Sequence, residues 1–341
     1  MKQILVTGGT GYIGSHTAVE LQNAGYEVII VDNLSNSSLD VLDGIEKITG
    51  IRPAFEQFDL IEKDKVNQFF TKYPNIEAII HFAASKAVGE SVEKPLLYYR
   101  NNLVSLINLL EAMDQFNVSG IVFSSSCTVY GQPESLPVTE QAPILKANSP
   151  YGNTKQICEE IIQDMLVASP ALKAIALRYF NPVGAHPTAL IGELPLGVPQ
   201  NLVPFITQTA AGVRQQLSVF GSDYNTPDGT AIRDYIHVVD LAKAHVVAVS
   251  RLVEEKSKKQ FEVFNLGTGK GLTVLDVVNS FEKISGQKLN YKIVDRRPGD
   301  VEKVYADTTF ANQELGWKAE SSLDDILASA WKWEKKIRGI E

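Results

Sequence analysis

Cysteine is nearly absent from this chain: Cys127 and Cys158 are the only two in 341 residues. Two thiols cannot make a disulfide framework and these sit at no metal-ligand spacing, so the sequence points to a reducing compartment where both are packing residues. Basic charge is also short, with Lys and Arg totalling 32 against 40 acidic residues and a net charge of −8. Lacking a cationic stripe, the chain has no electrostatic footprint for a phosphate polymer, and nucleic acid is excluded as an expected partner. No apolar run approaches the roughly 18 residues that a membrane span requires. Met1-Lys2 leads straight into Gln3-Ile4-Leu5-Val6-Thr7 and Gly8-Gly9, an apolar stretch too short for a signal peptide. The histidines, His16, His81, His186, His237 and His245, form no close pair of the kind that holds zinc, so no metal is expected. Internal repeats and low-complexity tracts are missing too. The expectation is a soluble, cytoplasmic chain with no membrane partner.

What is present is apolar residue in quantity. A hydrophobic content of 44% over this length can bury one large core or two unequal ones. Short β-branched runs at Ile4-Val6, Val28-Val31, Ala78-Phe82 and Ile121-Ser124 alternate with amphipathic stretches. The runs are apolar throughout rather than at every second residue, which predicts parallel strands buried on both faces: an α/β protein with a doubly wound sheet. After Asn181 the texture changes, with Pro182, Pro187, Pro195, Pro199 and Pro204 breaking the chain into loops and short helices. Residues 1–180 therefore read as one domain, joined by a returning segment near 236–265, and 181–341 mainly as a smaller α/β substrate domain. Phe261-Asn265 reads as a further strand, with Thr273 as N-cap of a helix from Val274 to Ser285 and Gly286 as its stop.

Gly8-Gly9-Thr10-Gly11-Tyr12-Ile13-Gly14 follows the first strand and opens a helical pattern. Glycine there allows a tight turn and lets backbone N–H groups approach a pyrophosphate at the positive end of the helix, the Rossmann arrangement. Asp32 ends the second strand, where a carboxylate can accept hydrogen bonds from both ribose hydroxyls of an adenosine. Its charge would repel a 2′-phosphate, and Asn33-Leu34-Ser35-Asn36-Ser37 supplies no Arg to offset that, so the expected cofactor is NAD rather than NADP.

Ser124-Ser125-Ser126 ends another strand, and Tyr151 and Lys155 share a helix face four residues apart. Of 12 tyrosines only Tyr151 has a lysine at that spacing. A tyrosine of reference pKa about 10 becomes a useful base near neutral pH only with about 4 kcal/mol of differential stabilisation, which positive charge must supply. Lys155 and a cationic nicotinamide can do so, while Ser126 orients a substrate hydroxyl. Taken singly, each residue could equally be a half-buried tyrosine, a solvated lysine or a plain turn; the combination favours an NAD-linked hydride transfer with Tyr151 as base. Gly267-Thr268-Gly269-Lys270-Gly271 lacks the spacing of a second phosphate loop and reads as a turn.

Four segments together resemble the extended short-chain dehydrogenase/reductases over essentially the whole chain: Val6 to Thr17, His81-Phe82-Ala83-Ala84-Ser85-Lys86 to Ser91, Ser124 to Gly131, and Leu177-Arg178-Tyr179-Phe180-Asn181-Pro182-Val183-Gly184-Ala185. The resemblance implies an NAD-dependent epimerase that interconverts UDP-glucose and UDP-galactose by oxidation and re-reduction of carbon 4. It implies cofactor contacts at Gly8, Gly11, Tyr12, Ile13, Gly14, Asp32, Asn33, Leu34, Ser35, Asn36, Ser37, Asp59, Leu60, Phe82, Ala83, Ala84, Ser85, Lys86, Asn101, Tyr151, Lys155 and Phe180, with Tyr179 near the nicotinamide. Substrate contacts implied in the same way are Lys86, Ser126, Tyr151, Asn181, Asn201, Leu202, Val219, Phe220, Arg233, Tyr235, Arg297, Asp300 and Val304.

Sister enzymes of the family that eliminate water or carbon dioxide carry acids just before their Val-Tyr-Gly equivalent; here Cys127 and Thr128 stand there, so the chemistry is expected to stop at carbon 4. Val304 replaces a bulkier tyrosine found in some members, which implies room for a 2-acetamido group and activity on UDP-N-acetylglucosamine or its galacto epimer. The resemblance also implies a homodimer, and the helices carrying Leu103 to Met113 and Ile157 to Leu166 are apolar enough to pair. Alternatives are an epimerase of another UDP sugar such as UDP-glucuronate, or an NAD-sensing protein without catalysis.

Overall fold

The computed structural model describes residues 1–297 and 300–340. Its strands are β1 (Gln3–Thr7), β2 (Glu27–Asp32), β3 (Ala54–Gln57), β4 (Ile76–His81), β5 (Gly120–Ser124), β6 (Lys173–Tyr179), β7 (Asn181–Val183), β8 (Leu217–Phe220), β9 (Ile232–Arg233), β10 (Tyr235–His237), β11 (Phe261–Leu266), β12 (Leu272–Thr273), β13 (Tyr291–Val294) and β14 (Lys303–Val304). The helices are α1 (Tyr12–Asn23), α2 (Asp40–Thr49), α3 (Lys63–Lys72), α4 (Val88–Glu93), α5 (Pro95–Gln115), α6 (Pro150–Ala168), α7 (Leu202–Ala210), α8 (Val238–Val253), α9 (Val274–Ser285) and α10 (Leu323–Arg338).

Among the described residues seven parallel strands form the main sheet in the order β3-β2-β1-β4-β5-β6-β11. The strand order reverses between β1 and β4, which opens a crevice at the carboxyl ends of those strands. Apolar runs with no polar face can be stable only when covered on both sides. Ile4 and Val6 accordingly pack into a cluster with α1, α2 and α8, through Ala18, Val19, Leu42, Ile45, Leu241 and Ala248. Leu5, between them, points the other way, into a cluster with Phe69, Leu109, Met113 and Ile162 of α3, α5 and α6.

β3 and β6 fall outside the strands that apolar runs mark. Ala54-Phe55-Glu56-Gln57 is an edge strand with half its side chains open, and Lys173-Ala174-Ile175-Ala176-Leu177-Arg178-Tyr179 carries two alanines, which favour strands weakly. Its partner β11 comes from far along the chain and pairs along its length, Phe261 opposite Ala174 through Leu266 opposite Tyr179.

A third apolar cluster holds Val203 and Ile206 of α7, Leu217 and Val219 of β8, Val277, Val278 and Phe281 of α9, and Ile326 and Leu327 of α10. α9 is framed as its ends predict: Thr273 and Asp276 form a capping box, and Gly286 closes the helix at φ 68°. A small fourth cluster of Val129, Tyr130, Val138, Phe180, Val304 and Ala306 joins the carboxyl edge of the sheet to β14. No helix among the described residues is long and apolar enough to cross a membrane.

Candidate active site

The first turn is set by contact, not only by flexibility. Gly8 adopts φ 69°, and a Cβ there would lie 2.8 Å from the Ala83 nitrogen. A Cβ on Gly14 would lie 2.3 Å from the Gly8 carbonyl oxygen, whereas Gly11 has a single near neighbour, that same oxygen at 3.1 Å. α1 therefore starts hard against the turn while its Gly11 end stays open, with no side-chain cap. Its first backbone N–H groups have no acceptor within the helix and point where an anion would sit. Tyr12 sends its hydroxyl to the Gly184 carbonyl at 2.6 Å, and Ile13 packs against the main core.

At the end of β2 the Asp32 carboxylate accepts from the Thr10 N–H at 3.2 Å, the Leu34 N–H at 2.9 Å and the Ser37 hydroxyl at 3.3 Å. Leu34 reaches this position at φ 59°, and Ser35 donates its N–H to the Asn33 side chain. Asn33 also donates to Asp59 at 2.9 Å, and the Leu60 carbonyl is held by Asn108 at 2.8 Å. The stretch from Asn33 through Asn36 to Ser37 is thus folded around the carboxylate as a shallow cradle. The open glycine turn, uncapped helix and hydrogen-bonded acid fit a dinucleotide: Gly8 to Gly14 would hold its pyrophosphate and Asp32 its adenosine ribose.

Beyond β4, Phe82 and Ala83 lean on Thr7, with the Phe82 ring centroid 4.6 Å from that of His245. Ala84 follows, and Ser85 is pinned from two sides, its N–H donating to Asn102 at 2.8 Å and its hydroxyl accepting from Asn101 at 3.0 Å. Asn102, buried inside α5, also donates to Thr154 at 3.0 Å and so ties this loop to α6. Sequence reasoning missed it; a polar residue on the buried stripe of an apolar helix was the available signal. Lys86 points away, 4.0 Å from Glu193 and half exposed.

The N-terminus of α6 carries Tyr151 and Lys155. Pro150 occupies the first turn and Ser149 caps it, accepting from the Gly152 N–H at 3.1 Å. Tyr151, Lys155 and Ser126 are all buried. Lys155 donates to the Ser124 carbonyl at 2.7 Å, and its ammonium lies 4.8 Å from the Phe123 ring centroid and 5.9 Å from that of Tyr151. The Ser124 hydroxyl meets the Tyr179 hydroxyl at 2.6 Å, and Phe180 turns into the fourth cluster.

Burial pushes the Tyr151 phenol well above its ordinary range; the neighbouring Tyr179 adds to this, and a hydrogen bond with Ser126 opposes it. Burial also lowers Lys155 to about 8, against the support of Cys158 and Glu159. The expected depression of Tyr151 by Lys155 is therefore not produced by the protein alone, because burial of the phenol outweighs it. Further positive charge is needed over the tyrosine. Cys127 is pushed up to about 12 by burial, with Arg233 pulling the other way, which makes it no acid at neutral pH and places the Arg233 charge within its reach.

On the substrate side, Asn181 pairs with Tyr235 across β7 and β10, and Val304 lies opposite Arg233 across β14 and β9. Arg233 and Arg297 both approach Asp300, at 3.9 Å and 2.8 Å, and the Arg297 guanidinium sits 5.6 Å from the Phe220 ring centroid. These converge on one rim. Asn201, just before Leu202 at the start of α7, is instead bound to Glu193 at 2.7 Å. Val219 is fully buried and Tyr235 nearly so. Asp234, not anticipated, accepts from the N–H groups of Thr268, Gly269 and Ala306 and from the Thr268 hydroxyl. It holds the Gly267-to-Gly271 turn beneath Arg233, so that turn is an anchor and not a phosphate loop.

The parallel sheet, the glycine turn after β1 and the Ser, Tyr, Lys cluster at the carboxyl edge define an extended short-chain dehydrogenase/reductase. A family model described as GDP-mannose 4,6 dehydratase matches residues 5–330. The chain is 51% identical over 331 residues to a UDP-glucose 4-epimerase of Bacillus subtilis, covering 97% of this chain and 96% of the relative. A UDP-glucose 4-epimerase from Bifidobacterium longum, solved with NAD+ and UDP, superposes with a TM-score of 0.94 at 48% identity and 98% coverage of both chains. One from Stenotrophomonas maltophila, with NAD and formylated UDP-arabinopyranose bound, gives 0.95 at 45% identity and 99% coverage of both. The chain belongs to the UDP-glucose 4-epimerase family.

Proposed function

We propose that this chain interconverts UDP-glucose and UDP-galactose, with Tyr151 as the base, Lys155 as its charged support, Ser126 as the group orienting the substrate hydroxyl, and a role in galactose metabolism. The observation that carries the reading is the buried Tyr151, Lys155 and Ser126 cluster beside a dinucleotide turn, with Cys127 and Thr128 where an eliminating enzyme needs acids. NAD, when bound, supplies a hydride acceptor and donor and a positive charge. Tyr151 takes the 4-hydroxyl proton while Ser126 holds that oxygen, and carbon 4 is oxidised to a ketone. The keto sugar turns over and Tyr151 returns the proton as the opposite face is reduced, so net redox is zero.

Turning over requires the sugar to be loosely held and the nucleotide firmly held. Arg233, Arg297 and Asp300 on one rim suit the nucleotide end, since a guanidinium fork grips a pyrophosphate directionally. Residues 1–180 with the returning 236–265 segment bind the cofactor, and 181–341 mainly the UDP sugar. Val304 is buried in the fourth cluster, yet as valine it leaves the 2-position less crowded than tyrosine would, which supports activity on UDP-N-acetylglucosamine as well. Chain pairing into a homodimer uses α4 and α5, whose Val88, Val92, Leu96 and Leu97 are exposed; the apolar residues of 103–113 and 157–166 mostly cover the sheet. The chain works in the cytoplasm.

The deciding experiment is incubation of the purified protein with UDP-galactose and no added NAD, followed by separation of the UDP sugars. Conversion to an equilibrium mixture is expected. No conversion, or conversion only in proportion to added NAD, would reject the reading.

A further inference from the structure

Glu159 follows Lys155 by one turn and Tyr151 by two, so the three share a face of α6. All three are buried. The Glu159 carboxylate accepts from the Ser125 hydroxyl at 2.5 Å and from Arg178 through both Nε, at 3.0 Å, and Nη2. Arg178 sends its remaining Nη1 to the Tyr130 hydroxyl at 3.0 Å, and Tyr130 donates onward to Asn265 at 2.7 Å. Backbone bonds extend the same knot, since the Ser125 N–H donates to the carbonyls of Phe123 and Leu177.

Two residues of this knot, Ser125 and Arg178, are chain neighbours of residues that face the reaction, and Glu159 lies one helical turn from Lys155. Ser125 lies between Ser124, which holds Lys155 and Tyr179, and Ser126. Arg178 immediately precedes Tyr179. Glu159 fixes the rotation of the helix that carries Tyr151 and Lys155. A buried ion pair is a poor device for stability, because desolvation offsets most of the attraction, but a bidentate fork fixes direction in a way that apolar packing does not. From this placement, and resting on the reaction proposed above, we infer that Glu159 and Arg178 are positioning residues that lock α6, β5 and β6 in the register the hydride transfer needs.

The test uses the full chain with its bound cofactor. Glu159→Gln keeps the shape and removes one charge; kcat for UDP-galactose is expected to fall at least tenfold, with KM changed less than twofold and bound NAD unchanged. Because that variant leaves Arg178 unpaired and can unfold, a second carries Glu159→Leu together with Arg178→Leu, which buries no charge. It is expected to fold and to stay at least tenfold below wild type in kcat, with amide exchange in residues 120–130 and 174–181 at least fivefold faster. Wild-type kcat or wild-type exchange in the doubly apolar variant would overturn the inference. An inactive wild-type chain would reject the reaction instead, and the exchange comparison still reads the clamp, so the two failures are separable.

Discussion

Tyr151 shows how little one side chain can do by itself. Its phenol is raised by burial, and Lys155 donates to a carbonyl, so the proposed role as base requires further positive charge, which a bound cofactor would supply. Tyr151→Phe is expected to lower kcat on UDP-galactose by about 10²–10⁴-fold, the range for a lost general base, while leaving bound NAD intact. Near-normal turnover of that variant in a UDP-sugar separation would remove Tyr151 from the mechanism. Lys155 carries a stability signature as well. Its folded pKa of about 8 lies below the ordinary lysine value, so below pH 8 the folded state bears the cost of burying its charge, and that cost fades as pH rises toward 10.5. Lys155→Met should therefore unfold at higher urea than wild type at pH 7, with the gap narrowing by pH 10.

Among the elements, the glycine turn and α1 make one unit. Gly14→Ala would drive a methyl group into the Gly8 carbonyl, and the turn must open. Bound NAD measured after purification is expected to fall to a small fraction of the wild-type amount; full occupancy would show that the turn tolerates the shift. This unit was legible in the sequence because its parts lie within a dozen residues and glycine at those spacings has few other uses. So were Asp32, at the end of an apolar run, and the Thr273 to Gly286 helix with its capping signals. Asn102, Glu159, Arg178 and Asp234 were not, since each acts through partners distant along the chain and none is an unusual residue for its element. β6 escaped for a related reason: its alanines fit a strand only because β5 and β11 flank it.

For the whole molecule, charge state ties the fold to pH. His16 and His81 are each pushed down to about 3 and His245 to about 4, in all three cases chiefly by burial. These groups are neutral in the folded chain and protonated in the unfolded one between their folded values and about 6.5, so stability is intact above pH 6.5 and is lost on acidification. At pH 5 each contributes a loss of about 2 kcal/mol. The melting temperature should drop steeply from pH 7 to 5, and His245→Phe should flatten that slope; an unchanged slope would exclude His245 as a contributor. Pairing of chains is tested at the same scale by Leu96→Glu with Leu97→Glu, which should halve the mass seen by light scattering if α4 and α5 form the contact.

The late arrival of β11 has its own consequence during synthesis. β6 is complete at Tyr179, but the strand that covers its outer edge begins only at Phe261. At translation rates of roughly 5–20 residues per second, that edge would stand open for on the order of 10 s. Over that interval a nascent chain displays a row of unpaired peptide groups, the surface on which strands of neighbouring polypeptides add. A ribosome-bound chain that has released β6 but not yet β11 is therefore expected to bind a chaperone more readily than the completed chain.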